Sequence, residues 1–196
     1  TPTGDITHDV AEHALVLPNT ASRIVKAPSQ PDFSFNHTWY MVLSLDQIGG
    51  QQYLWQHGDL SMKLMQGNFP NNYACNSVLL QRTGDSDINT MINLSGSGPT
   101  NVPINTPIVV TWYYGNDGLF VLINGSHVWS SPKAHSNTYT NEVGTEGRLM
   151  ADGTSGKLYD LRIFSSKHDD IEINNTIQSM STELNIDLST QFAFAS

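Results

Sequence analysis

Hydrophobic and polar positions alternate along most of the chain with the two-residue period of β-strands. The longest apolar stretch covers residues 107–130, PIVVTWYYGNDGLFVLINGSHVWS. It predicts three strands, Ile108–Tyr114, Leu119–Ile123 and His127–Ser130. The turns between them fall at Asn116-Asp117-Gly118 and Asn124-Gly125, because Asn, Asp and Gly accept the backbone geometry of tight hairpins. We therefore predict an antiparallel meander in the core sheet.

Similar strand patterns recur on both sides of this meander, at spacings of roughly 8–12 residues. They predict two strands within Ala14–Val25, and further strands at Phe33–Leu45, Gln52–Gln56, Leu60–Met65, Val78–Arg82, Ile88–Leu94, Arg148–Ala151 and Lys157–Phe164. Residues 66–77 and 95–107 are rich in Asn, Gly and Pro and predict loops. Short strands at this spacing predict an all-β fold, a two-sheet antiparallel β-sandwich of the jelly-roll type.

In one segment the apolar residues follow the spacing of an α-helix instead of that of a strand. Within Ile171–Leu184, four apolar residues recur at helical spacing and acidic residues precede them: Ile173, Ile177, Met180 and Leu184. We predict one short C-terminal helix there. The domain boundaries that follow are an N-terminal arm at 1–13, one β-sandwich at 14–184, and a tail or extra strand at 185–196.

Composition narrows the possible partners. The 196 residues carry nine Lys and Arg against 18 Asp and Glu, a net charge of −9. This excess of acid argues against a nucleic-acid partner, because phosphate contacts need clustered Lys and Arg. The sequence contains no apolar run of about 18 residues, so we expect no membrane insertion. Low charge and abundant Asn, Ser, Thr and Gly favour an extracellular or virion surface.

The predicted last strand carries a recognisable pattern. Gly156–Phe164, GKLYDLRIF, is followed by a polar turn and a helix that starts near Asp169 and Asp170. This arrangement resembles the closing strand of laminin G-like, concanavalin A-like domains, which typically reads Gly-x-Ile-x-Asp/Glu-Val-Arg-Ile-Tyr. Similar family strands match Leu15–Val25, Thr38–Leu45, Val109–Trp112 and Leu119–Gly125, so the resemblance covers about residues 12–180.

The resemblance implies a concanavalin A-like β-sandwich that binds carbohydrate or protein, often with a calcium ion at the rim of the sandwich. Some related folds cleave glycans, and the glucanases among them carry a compact Glu-x-Asp-x-x-Glu or Glu-x-Asp-x-Glu strand. None of the five glutamates lies in such a strand: Glu12, Glu142, Glu146, Glu172 and Glu183. A retaining mechanism needs two carboxylates about 5 Å apart. We therefore expect no enzymatic activity.

Glycan binding needs aromatic faces that stack on sugar rings, together with polar groups for the hydroxyls. Trp39 and Trp112 lie in apolar strands and are expected in the core, whereas Trp55 fits either environment. Loops and strand ends carry function more often than strand centres. The candidate ligand-binding residues are Trp129, Tyr114, Asn116, Asp117, Phe69 and Tyr73, with Tyr113 as an alternative to Tyr114.

Calcium is the cofactor that the resemblance implies. It requires several carboxylate or carbonyl oxygens around one point. Aspartates in predicted turns are the candidate ligands: Asp46, Asp59, Asp117 and Asp152. Turn aspartates also form local hydrogen bonds to the backbone, which is the alternative explanation for each.

Two main functional hypotheses follow, beside a third, an enzyme with an unfamiliar site, which two carboxylates facing each other in a concave groove would favour. The first is a non-catalytic, lectin-like carbohydrate-recognition module of an extracellular or virion surface protein, with a glycan or polysaccharide as partner. The second is a structural or oligomerisation module of a phage or viral capsid, decoration or tail protein, with a homo-oligomer or virion proteins as partners. Exposed Trp129 and Tyr114 would favour the first, and a broad exposed apolar patch would favour the second.

Overall fold

The computed structural model of the chain describes thirteen segments: residues 2–3, 6–17, 23–26, 36–46, 51–57, 60–65, 74–75, 77–82, 90–93, 102–103, 105–131, 147–151 and 155–189. Within them the first eight strands are β1 (Pro2–Thr3), β2 (Thr7–Asp9), β3 (Ala14–Leu17), β4 (Arg23–Lys26), β5 (His37–Leu45), β6 (Gln51–His57), β7 (Leu60–Met65) and β8 (Ala74–Cys75). The remaining elements are β9 (Ser77–Arg82), β10 (Thr90–Asn93), β11 (Val102–Pro103), β12 (Ile108–Gly115), β13 (Gly118–Ile123), β14 (Ser126–Ser131), β15 (Gly147–Ala151), β16 (Gly156–Phe164) and the helix α1 (Asp170–Leu184).

The strands form two large antiparallel sheets. Sheet A has the order β1-β4-β15-β6-β7-β9-β10, and sheet B has the order β14-β13-β12-β5-β16-β3-β2. With the single short helix, this arrangement confirms the predicted all-β sandwich. The structure adds a small sheet of β8 and β11, which lie inside the two segments predicted as loops. Both strands have only two residues, too few to show the alternation by which a strand is recognised.

The predicted N-terminal arm contributes to both sheets. β1 pairs with β4 in sheet A, and β2 pairs with β3 in sheet B. Strands β2 and β3 form the N-terminal hairpin. Lys157 of β16 holds it in place, because its Nζ lies 3.0 Å from Asp9 Oδ2 and 2.7 Å from Glu12 Oε1. Tyr159 also donates to Glu12, over 3.0 Å. Polar side chains anchor this segment, so its hydrophobic pattern is weak.

The predicted meander is confirmed as β12, β13 and β14 in sheet B. Asn124 and Gly125 both have positive φ, 48° and 76°, as a two-residue hairpin turn requires. The turn is fixed from the neighbouring strand, since Asn124 Oδ1 accepts a hydrogen bond of 2.8 Å from the Val109 N–H.

Sheet B is covered on both faces, which explains the apolar run of β5. Trp39 of β5 stacks on Trp112 of β12 on one face, with ring centroids 5.3 Å apart. Both indoles are buried, as predicted. On the other face, a buried cluster joins sheet B to α1 and the segment after it: Tyr40, Val42, Val109, Tyr113, Phe120, Leu122, Ile173, Ile177, Met180 and Leu188.

The predicted helix is confirmed, and its ends have clear causes. Asp169 caps the N-terminus by accepting from the N–H groups of Ile171 and Glu172, while Glu172 accepts from the Asp169 N–H. This reciprocal pair is a capping box. The helix ends where Asn185 adopts a left-handed conformation, with φ of 53°.

Candidate functional site

The turn between β12 and β13, at one end of sheet B, gathers polar side chains from three parts of the chain. We call Asn36, Tyr113, Asn116, Asp117 and Lys167 the turn cluster. Asn36 directly precedes β5, and Lys167 lies in the short connection between β16 and α1. Because β5 and β12 are antiparallel neighbours, the start of one strand lies beside the end of the other.

Hydrogen bonds hold the turn cluster in place. Asn36 Oδ1 accepts from the Asn116 N–H over 3.0 Å and lies 3.2 Å from the Tyr113 hydroxyl oxygen. The Tyr113 hydroxyl donates to the Asp117 carboxylate. Lys167 Nζ donates to the Asp117 carbonyl over 3.0 Å and lies 3.5 Å from Asp117 Oδ2. The turn is therefore fixed by side chains that precede β5 and follow β16, the next two strands of sheet B.

Backbone packing adds to this rigidity. Gly115 is buried beneath the turn cluster, and a Cβ atom at this position would collide with the Tyr113 hydroxyl and with Asn36 Oδ1. Only glycine lets these two side chains approach the backbone so closely.

The charged groups of the turn cluster face solvent above a buried ring. Tyr113 is 3% exposed, and its burial raises the pKa of the hydroxyl above the ordinary value. The hydrogen bond from Tyr113 lowers the pKa of Asp117, and the charge of Lys167 lowers it further. The Asp117 side chain is 61% exposed and that of Lys167 is 38% exposed. The turn cluster thus presents a fixed carboxylate beside an ammonium group.

The structure brings together two of the six predicted ligand-binding residues, Asn116 and Asp117. The strand register places Tyr114 of β12 opposite Leu119, and Trp129 of β14 opposite Val121. Tyr114 is the penultimate residue of β12, next to the turn cluster, whereas Trp129 lies near the middle of β14. Phe69 and Tyr73 lie outside the described residues.

Sequence reasoning missed Asn36 and Lys167, and it considered Tyr113 only as an alternative to Tyr114 for stacking on a sugar ring. Asn36 is 80 residues from Asn116 and 77 residues from Tyr113. Such contacts depend on which strands are neighbours in the sheet, and hydrophobic periodicity does not contain that information. The run of apolar residues around Tyr113 also hid its polar role.

Of the four predicted calcium ligands the structure describes Asp46 and Asp117, and these two lie far apart. Asp46 is exposed and directly follows β5, whereas Asn36 and the turn cluster lie at the start of that strand. The nine residues of β5 span about 30 Å, so Asp46 and Asp117 cannot bind the same ion. Asp59 and Asp152 lie outside the described residues. Within the described segments, no group of three or more His, Cys, Asp or Glu side chains is placed to hold a metal ion.

Other carboxylates in or beside sheet B form ion pairs with neighbouring basic groups. Lys157 lowers the pKa of Asp9 and of Glu12. Arg162 Nε donates to Asp160 over 2.8 Å, and Arg162 Nη2 donates to Glu183 over 2.7 Å. These pairs tie β16 to the N-terminal hairpin and to α1. No helix in the described part of the chain is long and apolar enough to cross a membrane.

Comparison with solved structures shows the same fold in carbohydrate-binding proteins. One is domain 4 of AbnA, a GH43 extracellular arabinanase from Geobacillus stearothermophilus, in complex with arabinotriose. The TM-score is 0.62 at 13% identity, over 91% of this chain and 82% of the other. The sequence matches no protein-family model and no curated protein.

Two further similar structures come from botulinum neurotoxins. The neurotoxin type C structure concerns cell entry through two ganglioside molecules, and it aligns with a TM-score of 0.67 at 15% identity. The binding domain of neurotoxin DC in complex with rat synaptotagmin II aligns with a TM-score of 0.68 at 14% identity. In both cases 92% of this chain is covered but only 46% of the toxin chain, so this chain spans about half of their length. At these identities the comparisons establish the fold.

Proposed function

We propose that this chain is a carbohydrate-recognition domain that binds a glycan at the turn cluster without cleaving it. The observation that carries the proposal is the pair of exposed charged groups of Asp117 and Lys167, held by buried Tyr113 and by Asn36. A sugar ring offers hydroxyl groups that both donate and accept hydrogen bonds. The Asp117 carboxylate accepts such bonds, and the Lys167 ammonium and the Asn116 amide donate them.

The rigidity of the turn cluster supports binding of a small polar ligand. Groups that are already fixed lose little conformational entropy when a ligand binds. Hydrogen bonds to charged groups are also stronger than those between neutral groups. Tyr114 and Trp129 are the aromatic residues that we propose as stacking partners, because their strands end beside the turn cluster.

The similar solved structures support this proposal at the level of fold. The arabinanase domain is in complex with arabinotriose, and the neurotoxin type C structure concerns ganglioside recognition. Together with the family resemblance of the last strand and the meander, they support a laminin G-like module on an extracellular protein. A calcium ion bound at the turn cluster would have Asp117 as a ligand and could not also contact Asp46.

The electrostatics support binding without hydrolysis. A glycosidase needs a carboxylic acid whose pKa is raised, so that it can protonate the leaving group. The pKa values of Asp9, Glu12, Asp117 and Glu183 are all lowered by hydrogen bonds and neighbouring charges. These groups remain ionised at neutral pH and suit recognition better than acid catalysis.

The assembly hypothesis receives less support from the described surface. The large hydrophobic side chains exposed there are Val10, Ile163 and Ile171. They lie on three different elements, the turn after β2, strand β16 and helix α1. Single exposed apolar residues are ordinary on protein surfaces, whereas assembly surfaces expose contiguous patches.

Affinity electrophoresis tests the proposed site. The protein is run through gels that contain arabinan or another soluble polysaccharide, and in parallel it is mixed with vesicles that carry gangliosides. We expect retardation or vesicle binding for the wild type, and its loss in Asp117→Ala and in Trp129→Ala, with the fold intact by circular dichroism. Asp46→Asn is the matched control, because this exposed carboxylate lies at the opposite end of β5. If Asp117→Ala and Trp129→Ala both still bound the polysaccharide or the vesicles, the proposed site would be rejected.

A further inference from the structure

A cavity of about 300 Å³ opens between α1, the Asn124-Gly125 turn and the segment that follows the helix. Its floor is apolar, formed by Ile177 and Leu188, which are 8% and 1% exposed. Its size is at the lower end of the range found for small-molecule sites. The cavity lies beyond the far end of β13, whose six residues span about 20 Å, so it is separate from the turn cluster.

The walls of the cavity are fixed by hydrogen bonds. Asn124 binds Val109 twice, because its N–H donates to the Val109 carbonyl over 2.9 Å and its Oδ1 accepts from the Val109 N–H. The segment after the helix is held by the Ile186 N–H, which donates to the Ser181 carbonyl over 3.1 Å. A ligand would therefore meet walls that are already formed.

The hydrogen-bonding groups that line the cavity are of two kinds. Asn174 and Gln178 are exposed on α1, and their carboxamides offer both donors and acceptors. Ser181 and Ser189 already donate their hydroxyl hydrogens, to the Ile186 carbonyl and to Asp187 Oδ1, each over 2.6 Å. These two hydroxyls are left to act as acceptors. A ligand with several hydroxyl groups on adjacent carbons, which donate and accept at once, matches this mixture.

The charge of the cavity selects a neutral ligand. None of its described lining residues has an ionisable side chain. The nearby Asp187 is kept ionised, because hydrogen bonds from Ser189 lower its pKa. An anion would meet this negative charge without a compensating cation from the described lining residues.

We infer that this cavity is a second binding site, for a neutral polyhydroxylated ligand of the size of one or two sugar rings. The apolar floor suits the carbon–hydrogen face of such a ring, and the amides at the rim suit its hydroxyl groups. The inference stands on the cavity alone and does not depend on binding at the turn cluster.

Nuclear magnetic resonance titration tests this site. Protein labelled with nitrogen-15 is titrated separately with L-arabinose, D-glucose and lactose, and with sulfate as the anionic comparison. We expect at least one sugar to cause saturable shifts of the Asn174 and Gln178 side-chain amides, and sulfate to cause none. The absence of saturable shifts with all three sugars would overturn the inference, and so would an equal response to sulfate.

Two variants make the test specific. Asn174→Ala combined with Gln178→Ala removes both amides and is expected to weaken sugar binding by about tenfold or more, monitored through the Ser189 backbone amide. Alanine favours a helix, so the double variant is expected to fold. Asn175→Ala is the matched control, because Asn175 is exposed on the same helix but does not line the cavity. This variant should change the dissociation constant for the sugar by less than about twofold. Asp117→Ala should leave these shifts unchanged, which separates this site from the turn cluster. Unchanged affinity in the double variant would contradict the inference.

Discussion

The Tyr113 hydroxyl donates a hydrogen bond to the carboxylate of Asp117, four residues further along the chain. Burial of the ring keeps this hydroxyl protonated, and the donated bond keeps the carboxylate ionised. The hydrogen bond therefore lets a buried tyrosine hold an exposed carboxylate in position. It connects the core of sheet B directly to the proposed binding surface.

Tyr113→Phe should release this support. Removing the donor should raise the pKa of Asp117 toward that of an ordinary aspartate, as measured by NMR titration of its side-chain carbon. The loss of one partly buried hydrogen bond to a charged group should lower the free energy of unfolding by about 1–2 kcal/mol. Lys167→Met removes the positive charge near Asp117, which lowers the Asp117 pKa less than the Tyr113 hydrogen bond does. This variant should therefore raise the pKa of Asp117 less than Tyr113→Phe. A larger effect from Lys167→Met would contradict this ranking.

Asp117→Asn should destabilise the protein by an amount that depends on pH. The pKa of Asp117 is lower in the folded protein than in the unfolded chain. The carboxylate therefore contributes stability above its unfolded pKa of about 3.9, and this contribution is lost as the pH falls through the folded pKa. Denaturant unfolding should show a constant difference between wild type and Asp117→Asn from about pH 7 to 5. The difference should shrink below about pH 4. A difference that grows on acidification would contradict the assignment.

Two isoleucines of α1 test how the helix is attached. Ile177 is 8% exposed and belongs to the buried cluster with sheet B, whereas Ile171 is 71% exposed. Ile177→Ala should lower the free energy of unfolding by about 2–5 kcal/mol, because it leaves a cavity in the packed face. Ile171→Ala should change it by about 0.5 kcal/mol or less. Chemical denaturation of the two variants checks this, and equal losses would mean that α1 is not packed as described.

Lys157→Met tests the attachment of the N-terminal hairpin. Lys157 pairs with Asp9 and Glu12, and both carboxylates have lowered pKa values because of it. The variant should unfold at a lower temperature and exchange the amide hydrogens of β2 faster. Since exposed ion pairs are screened by salt, the difference in melting temperature should shrink in 1 M NaCl, a concentration at which the screening length is about 3 Å. A difference that is independent of salt would point to lost packing of the lysine stem instead.

Much of the fold could be predicted from local pattern. The meander of β12, β13 and β14 was predictable because Asn124 and Gly125 mark its second hairpin and because β12 and β13 are largely apolar. The helix α1 was predictable from the spacing of Ile173, Ile177 and Met180. Each of these signals is contained within about 25 residues of sequence.

The remaining features depend on contacts between distant parts of the chain. Asn36 reaches the turn cluster because β5 pairs with β12, and Lys167 reaches it because β16 in turn pairs with β5. The two-residue strands β8 and β11 carry too few residues for a pattern. The separation of Asp46 from Asp117 follows from the direction of β5, which the presence of two turn aspartates does not reveal.

The most direct test of glycan recognition is binding of the purified wild-type protein to a glycan array, once with calcium and once with a chelator. We predict binding to a related group of glycans. Binding that persists in chelator would show that recognition needs no metal, and binding that requires calcium would show that a metal takes part. An array without signal under both conditions would contradict the proposed function.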